Sequence, residues 1–119
     1  MKKKILFVCT SNQHRSPTAQ SLLARHPRYE ARSAGISSLS AQVVTRELLE
    51  WADLIFVMDE QFDHHRRYLL EMFPDLPGLA DKIIVLGIPD IYQRDDPELV
   101  RRLREKLARY LPDLDVGWP

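Results

Sequence analysis

One cysteine, four glycines and no excess of either charge sign set the first limits on this chain. A lone thiol excludes an intrachain disulfide framework and a cysteine-rich zinc site, and it fits a reducing compartment. Lys and Arg total 17, as do Asp and Glu, so no net field draws the chain to nucleic acid or a membrane surface. Long apolar runs are also missing. Met1-Lys2-Lys3-Lys4 followed by Ile5 to Cys9 imitates the start of a secretory signal. That apolar run is about five residues against the roughly seven a signal needs, and polar Thr10 to Arg15 ends it. No stretch is long enough to cross a bilayer. The expectation is a cytoplasmic protein with neither nucleic acid nor membrane as partner. No internal repeat, low-complexity tract or linker divides the 119 residues, which suit a single domain over 1–119 with a real core.

What is present is an alternation of apolar runs and amphipathic stretches. Lys4 to Cys9 and Leu54 to Met58 read as buried strands, Ile83 to Leu86 as a third, and Tyr29 to Ser33 as a weaker one. Pro17 to about His26 reads as a helix capped by Ser16, with Ala19, Leu22 and Leu23 inward. Ser40 is expected to cap a helix to about Glu50 that buries Val44, Leu48 and Trp51. Asp59 is expected to cap another to about Phe73, with Phe62, Leu69 and Phe73 inward. Asp96-Pro97 opens a last helix, with Leu99, Val100, Leu103, Leu107, Tyr110 and Leu111 on its apolar side. Pro112 to Pro119, with Trp118, reads as a tail. Continuous apolar strands separated by helices imply an α/β fold with a parallel sheet covered on both faces.

The segment Cys9-Thr10-Ser11-Asn12-Gln13-His14-Arg15-Ser16 lies between the first strand and the first helix. Ligands in such folds bind beyond the strand carboxyl ends, and Cys9 stands at one. A five-residue turn running into a helix N-terminus makes an anion cradle of backbone N–H groups, and an arginine can fork two oxygens of a tetrahedral anion. The thiol at its base would attack as a thiolate, steadied by the turn amides, the helix terminus and Arg15. Attack on a phosphate monoester gives a phosphocysteine, with Thr10 to Ser16 around the phosphate. These groups neutralise the phosphate themselves, so no metal or cofactor is required. The leaving oxygen needs a proton, and Asp90, Asp95 and Asp96 all follow the last strand; Asp96 doubles as the cap ahead of Pro97. The plain alternative is a buried Cys serving as a small hydrophobe beside an ordinary loop.

With these residues the chain resembles the low-molecular-weight protein tyrosine phosphatases, in particular a compact bacterial branch of predicted tyrosine phosphatases. Ile5 to Cys9 with Asn12 to Pro17, Ser33-Ala34-Gly35, Ala52 to Ile55 with Met58-Asp59-Glu60, and Ile88-Pro89-Asp90 match the family's segments in order. The resemblance implies a phosphatase-I-like, Rossmann-like three-layer α/β/α fold with a four-stranded parallel sheet. It implies Cys9 as nucleophile, Arg15 as clamp, Asp90 as acid and then base, and a network of Asn12, Ser16 and Ser33 shaping the loop. Departures stand at the rim. His14 replaces a second loop cysteine, Gln13 an apolar wall, and Asp90-Ile91-Tyr92-Gln93 the family's Asp-Pro-Tyr-Tyr, so Gln13 and Tyr92 form the expected substrate rim. The stretch Ile36 to Ser40 has no aromatic, and the segment from Gly35 to Trp51 is short.

The expected partner is a phosphorylated substrate, a phosphotyrosine protein or a small phosphate ester. Rival readings are an arsenate reductase drawing on an external thiol, a non-catalytic phosphate-binding module, and a phosphocarrier. His64-His65-Arg66-Arg67 is read as a solvated face, as is the basic run from Arg101 to Arg109.

Overall fold

The structure, a computed structural model, describes residues 2–114; the final residues of the expected tail, Trp118 included, lie outside the described residues. The elements in chain order are β1 (Lys3–Cys9), α1 (Arg15–Leu23), β2 (Tyr29–Gly35), α2 (Arg46–Trp51), β3 (Leu54–Val57), α3 (His65–Met72), α4 (Leu79–Lys82), β4 (Ile83–Val85) and α5 (Pro97–Leu107). The four strands form one sheet in the order β2-β1-β3-β4, every pairing parallel. The chain leaves β1 toward β2 and then crosses back to β3, so the sheet's switch point falls between β1 and β3. Their carboxyl ends open the crevice where such folds bind ligands.

Strand periodicity distributes β1 between two cores. Ile5, Phe7 and Cys9 face one side with Ala19 and Leu23 of α1 and Leu99, Leu103 and Leu107 of α5. Leu6 and Val8 face the other with Leu49, Leu69 and Leu79 from α2, α3 and α4. Both faces of the sheet are therefore covered, giving the three layers expected. No helix of the described residues is long and apolar enough to cross a membrane.

Several expected boundaries are corrected. Helix α1 begins at Arg15, and Ser16 does not cap it; its hydroxyl turns into the loop instead. Helix α2 begins six residues after Ser40 and is capped by Thr45, whose hydroxyl oxygen accepts from Leu48 N–H at 3.2 Å. Ser40 instead donates to Thr10 O at 3.2 Å and Ser37 O at 2.6 Å. The carboxylate of Asp59 caps a turn rather than a helix, taking N–H groups of Phe62 and Asp63 at 2.8 and 2.9 Å. Helix α3 starts only at His65, after His64 has passed through left-handed angles (φ 54°). Phe62, expected inward, is exposed. Asp96 does cap α5, accepting from Glu98 N–H at 2.8 Å, but that helix ends at Leu107, before Tyr110 and Leu111.

Candidate active site

Hydrophobic β1 drives the chain into the sheet and releases it at Cys9, which is buried at the crevice floor. The turn closes back on the sulfur. Asn12 takes left-handed angles (φ 54°), which Asn tolerates better than most residues, and its backbone N–H donates to Cys9 Sγ at 3.2 Å. Ser16 Oγ lies 2.9 Å from the same sulfur. Asn12 Nδ2 donates to Ser16 Oγ at 2.9 Å, and the Ser16 proton has two acceptors within reach, the Cys9 sulfur and Ala34 O at 3.4 Å. The same amide donates to Ser33 Oγ at 3.0 Å, and the Ser33 hydroxyl donates to Gln20 Oε1 at 2.5 Å. Hydrogen bonds thus link Asn12, Ser16 and Ser33, and Gln20 ends the chain of contacts.

Gly35 shows why the Ser-Ala-Gly segment ends as it does. A Cβ there would lie 2.8 Å from Thr10 O and 2.9 Å from Asn12 N, and would collide with Ser40 Oγ. Thr10 O also accepts from Ser37 N–H at 2.8 Å, and Cys9 O from Ile36 N–H at 3.1 Å. The backbone of residues 35–40 is the rear wall of the turn.

Arg15 is almost fully buried and every arm has a partner. Nη1 donates to Ile88 O at 2.9 Å and lies 2.9 Å from Asp63 Oδ2. That second contact is an ion pair off the hydrogen-bonding direction, because Asp63 Oδ2 is buried without a hydrogen-bond partner. Nη2 donates to Thr10 Oγ1 at 3.4 Å, and Nε lies 3.8 Å from Asp90 Oδ1. Of the three aspartates after β4, Asp90 is the one this geometry brings to Arg15. Asp96 is taken up by its cap, and Asp95 is anchored by its backbone, whose N–H donates to Thr18 Oγ1 at 2.9 Å. Arg94 N–H donates to His14 Nδ1 at 3.2 Å. The loop after β4 is thereby tied to the start of α1, and the ring of His14 serves that tie. Gln13 is exposed and Ser11 half-buried. Tyr92 is partly buried and packs on the Phe7–α5 core, while Ile91 beside Asp90 and Phe62 beside Asp63 are exposed.

Two site residues escaped the sequence reading. Asp63 was not singled out, and His65, read as solvated, is fully buried. Its Nε2 lies 3.0 Å from Thr10 Oγ1 and 3.8 Å from Asp63 Oδ2. Burial first, and then the Arg15 charge, lower the His65 pKa from 6.5 to about 4, against the opposite pull of Asp63, Asp59 and Glu60. Burial alone would raise the Asp59 carboxyl. The Asp63 and Phe62 N–H groups, with His65 and Arg15, bring it below its ordinary value instead. A signal for His65 was available: it stands four residues before Leu69, on the buried stripe of α3.

Comparison with known proteins bears on the family and the fold. A family model described as low molecular weight phosphotyrosine protein phosphatase matches residues 4–52. The low molecular weight protein-tyrosine-phosphatase Wzb of Escherichia coli (strain K12) is 32% identical, over 92% of this chain and 92% of its own. Among solved structures, the low molecular weight protein tyrosine phosphatase of Streptococcus pyogenes superposes with a TM-score of 0.76 at 22% identity, over 94% and 93% of the two chains. The YwlE arginine phosphatase of Geobacillus stearothermophilus does so with 0.67 at 25% identity, over 97% of each.

Proposed function

The chain belongs to the low molecular weight phosphotyrosine protein phosphatase family, and from that premise we propose that it hydrolyses phosphate monoesters through a phosphocysteine on Cys9. The observation that carries the proposal is the sulfur's setting. Cys9 Sγ sits between the Asn12 N–H and the Ser16 hydroxyl, in a loop whose next arginine is buried and locked in place. A structural cysteine does not require such donors.

In the first step the Cys9 thiolate attacks phosphorus, the P–O bond to the leaving group breaks, and Asp90 gives that oxygen its proton. The Thr10–Ser16 turn and the Nε and Nη2 arms of Arg15 hold the equatorial oxygens as charge shifts onto them. In the second step water attacks phosphorus, Asp90 takes its proton, and the S–P bond breaks to release inorganic phosphate and the thiolate. Asp90 suits the transfer because its carboxylate is exposed at the crevice mouth yet within 3.8 Å of Arg15. Asn12, Ser16 and Ser33 shape the loop, and Gln13 and Tyr92 line the rim. We take residues 1–119 as one domain acting in the cytoplasm, with a phosphotyrosine protein or a small phosphate ester as substrate and no metal, nucleic acid or membrane involved.

A second substrate reading, an N-phosphorylated guanidinium, draws support from the rim. The exposed Asp90 carboxylate stands at the crevice mouth, where a guanidinium leaving group would meet it. The arsenate-reductase reading needs no acid at Asp90 and would have to borrow an external thiol.

The test is hydrolysis of an aryl phosphate and of phosphoarginine by wild type, Cys9→Ser, Arg15→Ala and Asp90→Asn. Metal-independent turnover abolished by the first two changes, and cut about 100-fold by the third, supports the mechanism. Turnover indifferent to Asp90→Asn moves the acid elsewhere, and turnover retained by Cys9→Ser removes the phosphocysteine.

A further inference from the structure

The loop after β3 touches the phosphate loop through a side chain that the two-step mechanism leaves without a role. Both ring nitrogens of His65 are engaged. The Asp59 backbone N–H lies 3.0 Å from Nδ1, and a peptide N–H can only donate, so Nδ1 carries the lone pair. The buried ring stays neutral above about pH 4. A neutral imidazole with a bare Nδ1 holds its hydrogen on Nε2, so Nε2–H donates to Thr10 Oγ1 across 3.0 Å. Arg15 Nη2 donates to that same oxygen at 3.4 Å. A hydroxyl that accepts from both neighbours cannot give its hydrogen to either.

We infer that His65 is a positioning residue: by occupying the acceptor side of Thr10 Oγ1, it turns the Thr10 O–H toward the phosphoryl group held over Cys9, one residue away. The inference rests on the phosphatase reading for the identity of the anion. The groups that face the ring are Arg15 from α1 and Asp59, Glu60 and Asp63 from its own loop. One of them competes for the proton, because Asp63 Oδ2 is a buried acceptor without a hydrogen-bond partner. In the present geometry it is 3.8 Å from His65 Nε2 and is held by Arg15. A phosphoryl oxygen on the Arg15 fork would lie beside the same Nη2 that meets Thr10.

The test has two readouts, neither of which needs turnover. Long-range ¹H–¹⁵N spectra of the full chain at neutral pH should show His65 as the Nε2–H tautomer; an Nδ1–H tautomer or an imidazolium overturns the inference. Inorganic phosphate is then titrated into wild type, Thr10→Val, Thr10→Ser, His65→Ala, His65→Gln and the double variant Thr10→Val/His65→Ala. Thr10→Val should weaken phosphate about tenfold, the worth of one hydrogen bond to a charged group. Thr10→Ser should bind as wild type. His65→Ala should match Thr10→Val, with the double variant no weaker than either single change, and His65→Gln, which keeps an amide donor, should recover part of the loss. Additive losses, or Thr10→Val binding phosphate normally while melting earlier, would mean that the proton serves Asp63 or that the contact only holds the loops together. Should His65→Ala fail to fold, the tautomer and the Thr10 and His65→Gln titrations decide. Tight, Thr10-dependent phosphate binding without hydrolysis would count against the phosphatase reading and leave His65's role standing.

Discussion

The loop after β1 and the loop after β3 face each other across one crevice, yet they are held in different ways. The first is largely self-wired: Cys9, Asn12 and Ser16 bond one another within a single turn. The second depends on distance. It is cinched by Asp59 and His65, which exchange bonds through backbone and ring, and it reaches the first by Thr10–His65, 55 positions apart in the chain, and by Arg15–Asp63. A nucleophile can be written into a short motif. The precise aim of its arginine and of its neighbouring hydroxyl is written by the tertiary fold.

Arg15 joins the two loops, so Arg15→Lys is the strongest way to break the comparison. The charge survives, but the fork to Ile88 O, Asp63, Thr10 and phosphate does not. Loss of about 1,000-fold in kcat/KM is expected on an aryl phosphate; a loss under tenfold would mean that charge alone suffices.

Acid should undo the second loop before the first. Unfolded His65 takes up a proton near 6.5, whereas in the fold it does so only near 4. Between those values the unfolded chain binds more protons. Stability is therefore constant from this group above about pH 6.5 and falls as pH drops toward 4, by about 3 kcal/mol in all. Asp59, held below its ordinary 3.8, adds a further loss at lower pH. Denaturant melts across this range should show the slope in wild type and a shallower one in His65→Gln.

Gly35→Ala strikes the rear wall of the first loop without touching the second. The added methyl must push against backbone at Thr10 and Asn12, so a stability loss of about 1–3 kcal/mol is expected, with a parallel drop in kcat. Unchanged kcat in this variant would show that the turn tolerates displacement.

The smallest effect belongs to the outer anchor of the loop after β4. Asp96→Ala removes the cap of α5 and should cost about 1 kcal/mol in thermal unfolding while sparing phosphate affinity.

The same contrast explains what the sequence disclosed. Strand runs such as Ile5 to Cys9 are continuous because both faces of the parallel sheet are covered, and that pattern is local. Cys9, Asn12, Arg15 and Ser16 stand out in the sequence because a turn and a helix start concentrate them. Ser16 and Asp59 were misread as helix caps, since a hydroxyl or carboxylate before a helix pattern serves a turn or a sulfur equally well. His65 was lost in a basic run because its burial depends on where α3 lands against β1. Asp90 stands apart from Asp95 and Asp96 in the sequence only through the Ile88-Pro89-Asp90 resemblance, and the fold adds its 3.8 Å approach to Arg15.

The phosphocysteine itself is the most direct test. An aryl phosphate with a good leaving group needs little help from an acid to form the intermediate, but its breakdown still needs Asp90 as base. Asp90→Asn should therefore accumulate it. Acid quenching within the first turnover, followed by mass spectrometry of the Cys9 peptide, should find one phosphoryl group on Cys9 in this variant and none in Cys9→Ser. Released phenol with an unmodified Cys9 peptide would contradict the account.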